Sequence, residues 1–313
     1  MNIDFINVNE VSKKLIQNEN KVMLDAESNY RGQLFQAVSQ ILNSKKKYKF
    51  ILLGGPSCSG KTTTANLLKD ILESKHKKAI VVSMDDFFLN REDTPFLPNG
   101  ARDYDNVTTV NLDLVEKCFS TLFEKGVAKF PKFDFVTGIN DTEHYTFKYN
   151  LNKKESPIII FEGIHVLNPM LIERLATKDV FKIYIGTLSG FVGNNGTIMS
   201  TRQVRFIRRV IRDSERRGTN PEKALKSWQD VCEAEDTYIA PFKETADFYI
   251  NTTHSYEVAI YKTEFFKIMA EYREILDHLS FLYLFDETVS LTRNKLPDTT
   301  LMWEFITKDK QID

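Results

Sequence analysis

Gly55-Pro-Ser-Cys-Ser-Gly60-Lys61-Thr62 sets a glycine, four variable residues, then glycine, lysine and a hydroxyl side chain in a row. That spacing suits phosphate. Glycines let the backbone turn tightly enough for successive N–H groups to point inward. A helix opening at the lysine adds the partial positive charge of its N-terminus. Lys61 can then reach β- and γ-phosphates, while the Thr62 hydroxyl ligates magnesium. The candidate nucleotide contacts of the loop are Gly55, Ser57, Ser59, Gly60, Lys61, Thr62 and Thr63. Cys58 stands at a variable position and reads as a spacer. The alternative is a chance glycine-rich turn, but the motif follows an apolar run and precedes a helical pattern, the context it requires. Alone it says only that a nucleoside triphosphate binds.

Two further segments put carboxylates after apolar runs. Ser83-Met84-Asp85-Asp86-Phe87-Phe88 offers an adjacent pair. One of them could take the proton of an attacking hydroxyl and hold it in line with a γ-phosphate; turn formers or helix caps are the alternative. Ile158-Ile-Ile-Phe161-Glu162-Gly163 ends on a carboxylate that could hold magnesium or its water, for which one glutamate beside phosphate oxygens suffices. Glu162 as a simple strand-end residue is the alternative there. Arg205, Arg208, Arg209, Arg212 and Arg216 recur every three or four residues, on a helix face opposite Val204, Ile207 and Ile211. Such a row can close over a triphosphate and offset charge on the transferred group, an effect worth about 10³–10⁵ in rate. A solvated basic face balanced by Asp213 and Glu215 is the competing explanation. An RNA-binding helix would want an aromatic platform or basic flank, which this stretch lacks.

These residues need elements to hold them. Phe50–Leu53, Ala79–Ser83, Ile158–Phe161, Val180–Ile185 and Ala246–Ile250 are short apolar runs of buried-strand type. Helical spacing marks the first 45 or so residues, the stretch from Lys61, Leu112 to about Glu124, stretches from about Arg202 and Glu222, and about 256–281. Strands alternating with helices predict a mostly parallel sheet covered on both faces, with ligands beyond the carboxyl ends of its strands. Every candidate group above falls at such an end.

Composition narrows the class. The 313 residues are 42% hydrophobic and 27% charged, with formal net charge -1, so a full core is available and no overall basic field draws nucleic acid or lipid. Three widely spaced cysteines predict neither a disulfide framework nor a zinc site. The opening MNIDFINVNEV does not read as a secretory signal, and no apolar run is long enough to span a bilayer. Cytoplasm is the expected compartment, with no membrane and no nucleic-acid partner.

Taken together, GGPSCSGKTT (54–63), SMDDFF (83–88), RDYD (102–105), FPKFDFVTG (130–138), IIIFEGIHVLN (158–168) and RFIRRVIRDSERRG (205–218) resemble the phosphoribulokinase/uridine kinase family, and within it the uridine kinase-like nucleoside kinases. WQDV (228–231), IAPFKETADFYIN (239–251) and the tail LPDTTLMWEFI continue the likeness, which runs from about residue 48 to the end. The resemblance implies a P-loop kinase-type three-layer α/β sandwich: an N-terminal helical segment (1–47), a core (48–254) with a helical lid around 200–218, and a helical C-terminal extension (255–313). No extra N-terminal domain of the kind some long relatives carry is expected.

It also implies ATP- or GTP-dependent, magnesium-assisted transfer to the 5′-hydroxyl of a nucleoside. Asp85 is then the catalytic carboxylate, and Phe88 lies beside the nucleoside. Asp105 holds the ribose hydroxyls, and Phe133 and Phe135 pack around the base. Arg205, Arg208 and Arg209 belong to the lid. Arg205 and Arg209 assist catalysis, Arg205 also meets substrate, and Arg208 meets the nucleotide. A homo-oligomer, dimer or tetramer, is expected. Gly138 stands where uridine–cytidine kinases usually carry histidine, and Asn140 where a basic residue is common, so the base preference stays open. Other acceptors such as pantothenate or a sugar phosphate, a non-catalytic nucleotide-binding regulator and an RNA-binding ATPase are the alternatives.

Overall fold

The computed structural model describes residues 4–97, 100, 102–152, 156–276 and 278–308. In chain order, β1 (Asp4–Asn7) leads into α1 (Val8–Asn43), then β2 (Phe50–Gly54), α2 (Lys61–Ser74) and β3 (Ala79–Ser83). A 3-10 turn, Met84–Phe87, carries the paired aspartates. Next come α3 (Leu112–Lys125), β4 (Val127–Asp134), β5 (Ile139–Lys148), β6 (Ile158–Gly163), α4 (Pro169–Ile172) and β7 (Val180–Gly186). The remainder is β8 (Ser189–Val192), β9 (Ile198–Met199), α5 (Thr201–Arg216), α6 (Pro221–Lys226), α7 (Trp228–Tyr238), β10 (Phe248–Asn251), α8 (Glu257–Ile268) and α9 (Arg273–Leu276).

The central sheet has the order β10-β7-β2-β6-β3, and every neighbouring pair in it is parallel. β2 and β6 in its middle are buried at every residue because both faces are covered. Alternate side chains of β2 and β6 sort to opposite sides. Ile51, Leu53, Ile158 and Ile160 join a core with α1, α2, α5 and α8. Phe50, Leu52, Ile159 and Phe161 join a second, aromatic-rich core with α3 and β4. Three layers result. Local signals set the helix starts: Asn7 caps α1 by accepting from the N–H groups of Asn9 and Glu10, and Ser200 and Gln203 form a reciprocal capping box on α5.

Register decides where chemistry can occur. Leu53 pairs with Glu162 across β2–β6, and Glu162 pairs with Ser83 across β6–β3. The carboxyl end of β6 therefore lies between the phosphate loop, which leaves β2, and the aspartate turn, which leaves β3.

The structure also departs from the sequence expectations. The segment holding Phe133 and Phe135 is an antiparallel hairpin, β4–β5, outside the main sheet. A small sheet of order β1-β8-β9 joins the start of the chain to the segment before α5. The region after Glu257 is not one long helix: α8 ends at Ile268, and the described residues beyond α9 carry short 3-10 turns at Ser280–Glu287, Arg293–Lys295 and Leu301–Glu304. No helix among the described residues is long and apolar enough to cross a membrane.

Candidate active site

The phosphate loop turns from β2 into α2 through backbone that only particular residues tolerate. Gly60 adopts φ +91. A Cβ at Gly55 would lie 2.0 Å from the carbonyl oxygen of Ile185, so nothing larger fits beside β7. Thr64 donates its backbone N–H to Gly60 O at 3.1 Å. Its hydroxyl donates to the same carbonyl at 2.6 Å, and Tyr30 of α1 meets that hydroxyl at 2.7 Å. The first helical turn is thus fixed from behind. Lys61 is folded back, its Nζ donating to Pro56 O at 2.9 Å. Burial lowers its pKa, opposed by the charges of Glu162 and Asp85.

A cavity of about 720 Å³ opens above these strand ends. On the loop side it is lined by Ser57, Cys58, Lys61 and Thr62, and on the floor by Glu162. Glu162 accepts from Ser83 Oγ at 2.8 Å and from Thr62 Oγ1 at 3.4 Å. Burial and then the negative charge of Asp85 push its pKa up to about 7, against the pull of Lys61. The Thr62 hydroxyl and the Glu162 carboxylate are hard oxygen donors side by side, a pair that suits magnesium, which would take its remaining ligands from phosphate and water.

Asp85 is half-buried and lines the same cavity as Lys61, and burial raises its pKa against the opposing charge of that lysine. Its neighbour Asp86 points elsewhere, into an ion pair with Lys132 at 2.9 Å and a bond from Tyr145 OH at 3.3 Å. Of the two adjacent carboxylates, only Asp85 lines the cavity.

The far end holds the remaining acceptor-side candidates. Phe88, Phe133 and Phe135 form an edge-to-face cluster with centroids 5.1 to 6.5 Å apart. Asp105 lines the same end, its pKa raised by burial and countered by Arg209. Gly138 closes the hairpin turn at φ +74, and a Cβ there would come within 2.8 Å of Arg91. Arg91 therefore fills the space beside position 138, donating from its guanidinium to Phe135 O at 2.6 Å.

The arginine stripe divides. Arg209 and Arg212 line the cavity, and Arg209 reaches Ser57 Oγ at 3.4 Å. Arg205 and Arg208 do not line it. Arg205 is buried, pairs with Glu235 and donates to Ser57 O at 3.2 Å. Arg208 is 0% exposed, bound to Glu257 at 2.7 Å, to Thr252 O at 2.8 Å and to Cys58 O at 3.3 Å. The direct contacts with nucleotide and acceptor expected of them give way, in this geometry, to a hold on the loop's own carbonyls from behind. Ser59 is also fully buried, its hydroxyl without a hydrogen-bond partner among the described residues. Arg91, Tyr104, Arg217 and Glu304 line the cavity without having been singled out in the sequence. Tyr104 sits inside the RDYD segment and Arg217 directly follows the stripe, so both were within reach of pattern reading. Glu304 lies in the tail segment LPDTTLMWEFI, where nothing in the residue pattern points to the cavity.

A phosphate-binding turn, a floor glutamate and a wall aspartate at neighbouring ends of a parallel sheet define a P-loop kinase. The model of the phosphoribulokinase/uridine kinase family matches residues 50–259, and the chain belongs to that family. It is 27% identical over 212 residues to a uridine kinase of Mycoplasma genitalium, covering 67% of this chain and 87% of that protein. It is 28% identical over 221 residues to a uridine kinase of Ligilactobacillus salivarius, covering 70% and 92%. Among solved structures, a candidate fructose transport system kinase from Silicibacter sp. TM1040 has the same fold, with TM-score 0.50, 21% identity, and 69% and 96% of the two chains covered.

Proposed function

We propose that this kinase transfers the γ-phosphoryl group of ATP or GTP to the 5′-hydroxyl of a nucleoside. One observation supports the proposal: Lys61, Asp85 and Glu162 line a single cavity together with the aromatic cluster of Phe88, Phe133 and Phe135. The acceptor hydroxyl gives its proton to the Asp85 carboxylate as its oxygen bonds to the γ-phosphorus. The bond to the β-phosphate oxygen breaks, and nucleoside diphosphate leaves. Burial raises the proton affinity of Asp85 above that of an ordinary aspartate, which suits it to this task. Lys61, Arg209 and Arg212 offset charge on the phosphoryl oxygens, and Asp105 accepts from ribose hydroxyls. Thr62 and Glu162 would hold magnesium, which would supply neutralisation of part of the phosphate charge. Several relatives are uridine kinases, which supports a pyrimidine nucleoside as acceptor.

A second acceptor class has its own support. Arg91, Arg217 and Lys223 line the cavity, and such a basic rim also suits an acceptor that already carries an anionic group, such as pantothenate or a sugar phosphate. Label transfer from γ-labelled ATP to a panel of ribo- and deoxyribonucleosides, with pantothenate and ribulose 5-phosphate included, separates the two. Asp85→Asn should cut turnover on the preferred acceptor by about 10²–10⁴ while leaving donor binding nearly intact. Undiminished turnover would remove Asp85 from the mechanism. Labelling of no acceptor in the panel would overturn both assignments.

A further inference from the structure

The phosphate loop is already occupied by part of this chain. Three N–H groups at the start of α2, those of Lys61, Thr62 and Thr63, precede the first helical bond from Thr64 to Gly60. One of them is taken: Thr63 N–H donates at 3.0 Å to the carboxylate of Glu304, 241 positions further along. Glu304 belongs to the 3-10 turn Leu301–Glu304 and lines the same cavity as Lys61 and Thr62.

The contact is held in place. Leu301, Met302, Phe305 and Ile306, on both sides of Glu304, are all fully buried. Leu301 packs so closely on the loop that a Cβ at Gly60 would lie 2.8 Å from it. From the lid helix, Arg216 donates to the carbonyls of Trp303 and Ile306, and Glu215 accepts from the N–H of Thr307 at 2.6 Å. The tail thereby touches the phosphate loop on one side and α5 on the other.

We propose that Glu304 is an intramolecular competitor of the donor phosphates: its carboxylate occupies an N–H of the cradle and must give it up for a nucleotide to bind. This rests on the assignment of the loop as a triphosphate cradle. An anion at a helix N-terminus makes the charge-assisted bonds a phosphate oxygen would make there. A carboxylate left beside a bound triphosphate would add repulsion between like charges as well. The self-capped loop therefore sets a threshold for donor binding, and because the same turn holds Arg216, release of Glu304 frees a contact between tail and lid helix.

The probes are ATP and inorganic tripolyphosphate, each titrated calorimetrically into the wild-type protein and Glu304→Gln, with Lys61→Ala as the control on the cradle. Glu304→Gln should tighten both ligands by about tenfold, since an amide holds the N–H more weakly and brings no charge. Its melting temperature without ligand should fall slightly, because a helix cap is weakened. A folding defect would not tighten binding, so the two readouts separate. Unchanged or weaker binding in Glu304→Gln, while wild-type binding is lost in Lys61→Ala, would overturn the competition alone. A gain confined to ATP would also overturn it, placing Glu304 against the base or ribose instead. Absence of binding in both wild type and Glu304→Gln would remove the cradle assignment, and the competition with it.

Discussion

Glu162 and the two unlike arginines show how environment assigns roles to residues that look equivalent in a string. The Glu162 carboxyl, pushed up to about 7 by burial and by Asp85, must lose its proton before it can ligate a metal. The magnesium concentration for half-maximal activity should therefore rise as pH falls below about 7, approaching tenfold per unit. Glu162→Gln should flatten that dependence, and a wild-type magnesium requirement unchanged between pH 6 and 8 would exclude Glu162 as ligand. The same shift works against the metal-free fold as pH rises from 4.5 towards about 7, because the folded carboxyl keeps a proton that the unfolded one has released. Arg208 and Arg209 make the contrast sharper. Arg208→Met leaves Glu257, itself 0% exposed, as an uncompensated charge, and should cost about 3–5 kcal/mol of stability, read in denaturant melts. Arg209→Ala should leave the melt almost unmoved and lower turnover. Periodicity put the stripe on one helix face. It could not show which half of that face is buried, because the deciding partners, Glu235 and Glu257, lie about 30 and 49 residues away.

At the scale of elements, legibility followed the nature of the burial. β2, β3 and β6 read as unbroken apolar runs, and the loop, the aspartate turn and Glu162 follow from their carboxyl ends in the sequence. The β4–β5 hairpin escaped because β5 is largely exposed and reads INDTEHYTFK, while β4 carries a proline and a register shift between Phe130 and Lys132. β1, β8 and β9 have four residues or fewer, too short for a period to show. The hairpin nevertheless lines the cavity with Phe133 and Phe135, at the end proposed for the acceptor. Asn140 donates to the carbonyls of Asp86 and Phe88, both at 2.8 Å, tying the hairpin to the turn that carries Asp85. Asn140→Ala removes both bonds at about 0.5–1.5 kcal/mol each. The acceptor KM should rise about tenfold, with the donor KM unchanged, in steady-state assays varying one substrate at a time. An equal rise in both constants would mean that the hairpin does not act on the acceptor side alone.

At the scale of the whole molecule, the family-sized portion of the chain shares its core with both ends of the chain. The core behind the sheet joins Leu34, Val38 and Ile41 of α1 to Ile51 and Leu53 of β2, and then to Ile260 and Phe265 of α8 and Leu301 and Phe305 of the tail. Polar contacts cross the same ground. Tyr256 donates to Glu27 of α1 at 2.8 Å and meets Thr300 of the tail at 2.8 Å, while Tyr30 of α1 meets Thr64 behind the phosphate loop. A chain cut to residues 48–254 would expose one face of its sheet and of α2, where each buried Leu, Ile or Phe side chain contributes about 1.5–3 kcal/mol. Net stability of a domain is only about 5–15 kcal/mol, so the loss of a handful of such contacts exceeds it. The cut chain should therefore give no cooperative thermal transition by circular dichroism and should bind the apolar dye ANS, whereas the full chain melts as one unit. A sharp melt with donor binding retained would show instead that the ends of the chain are appended to a core that folds without them.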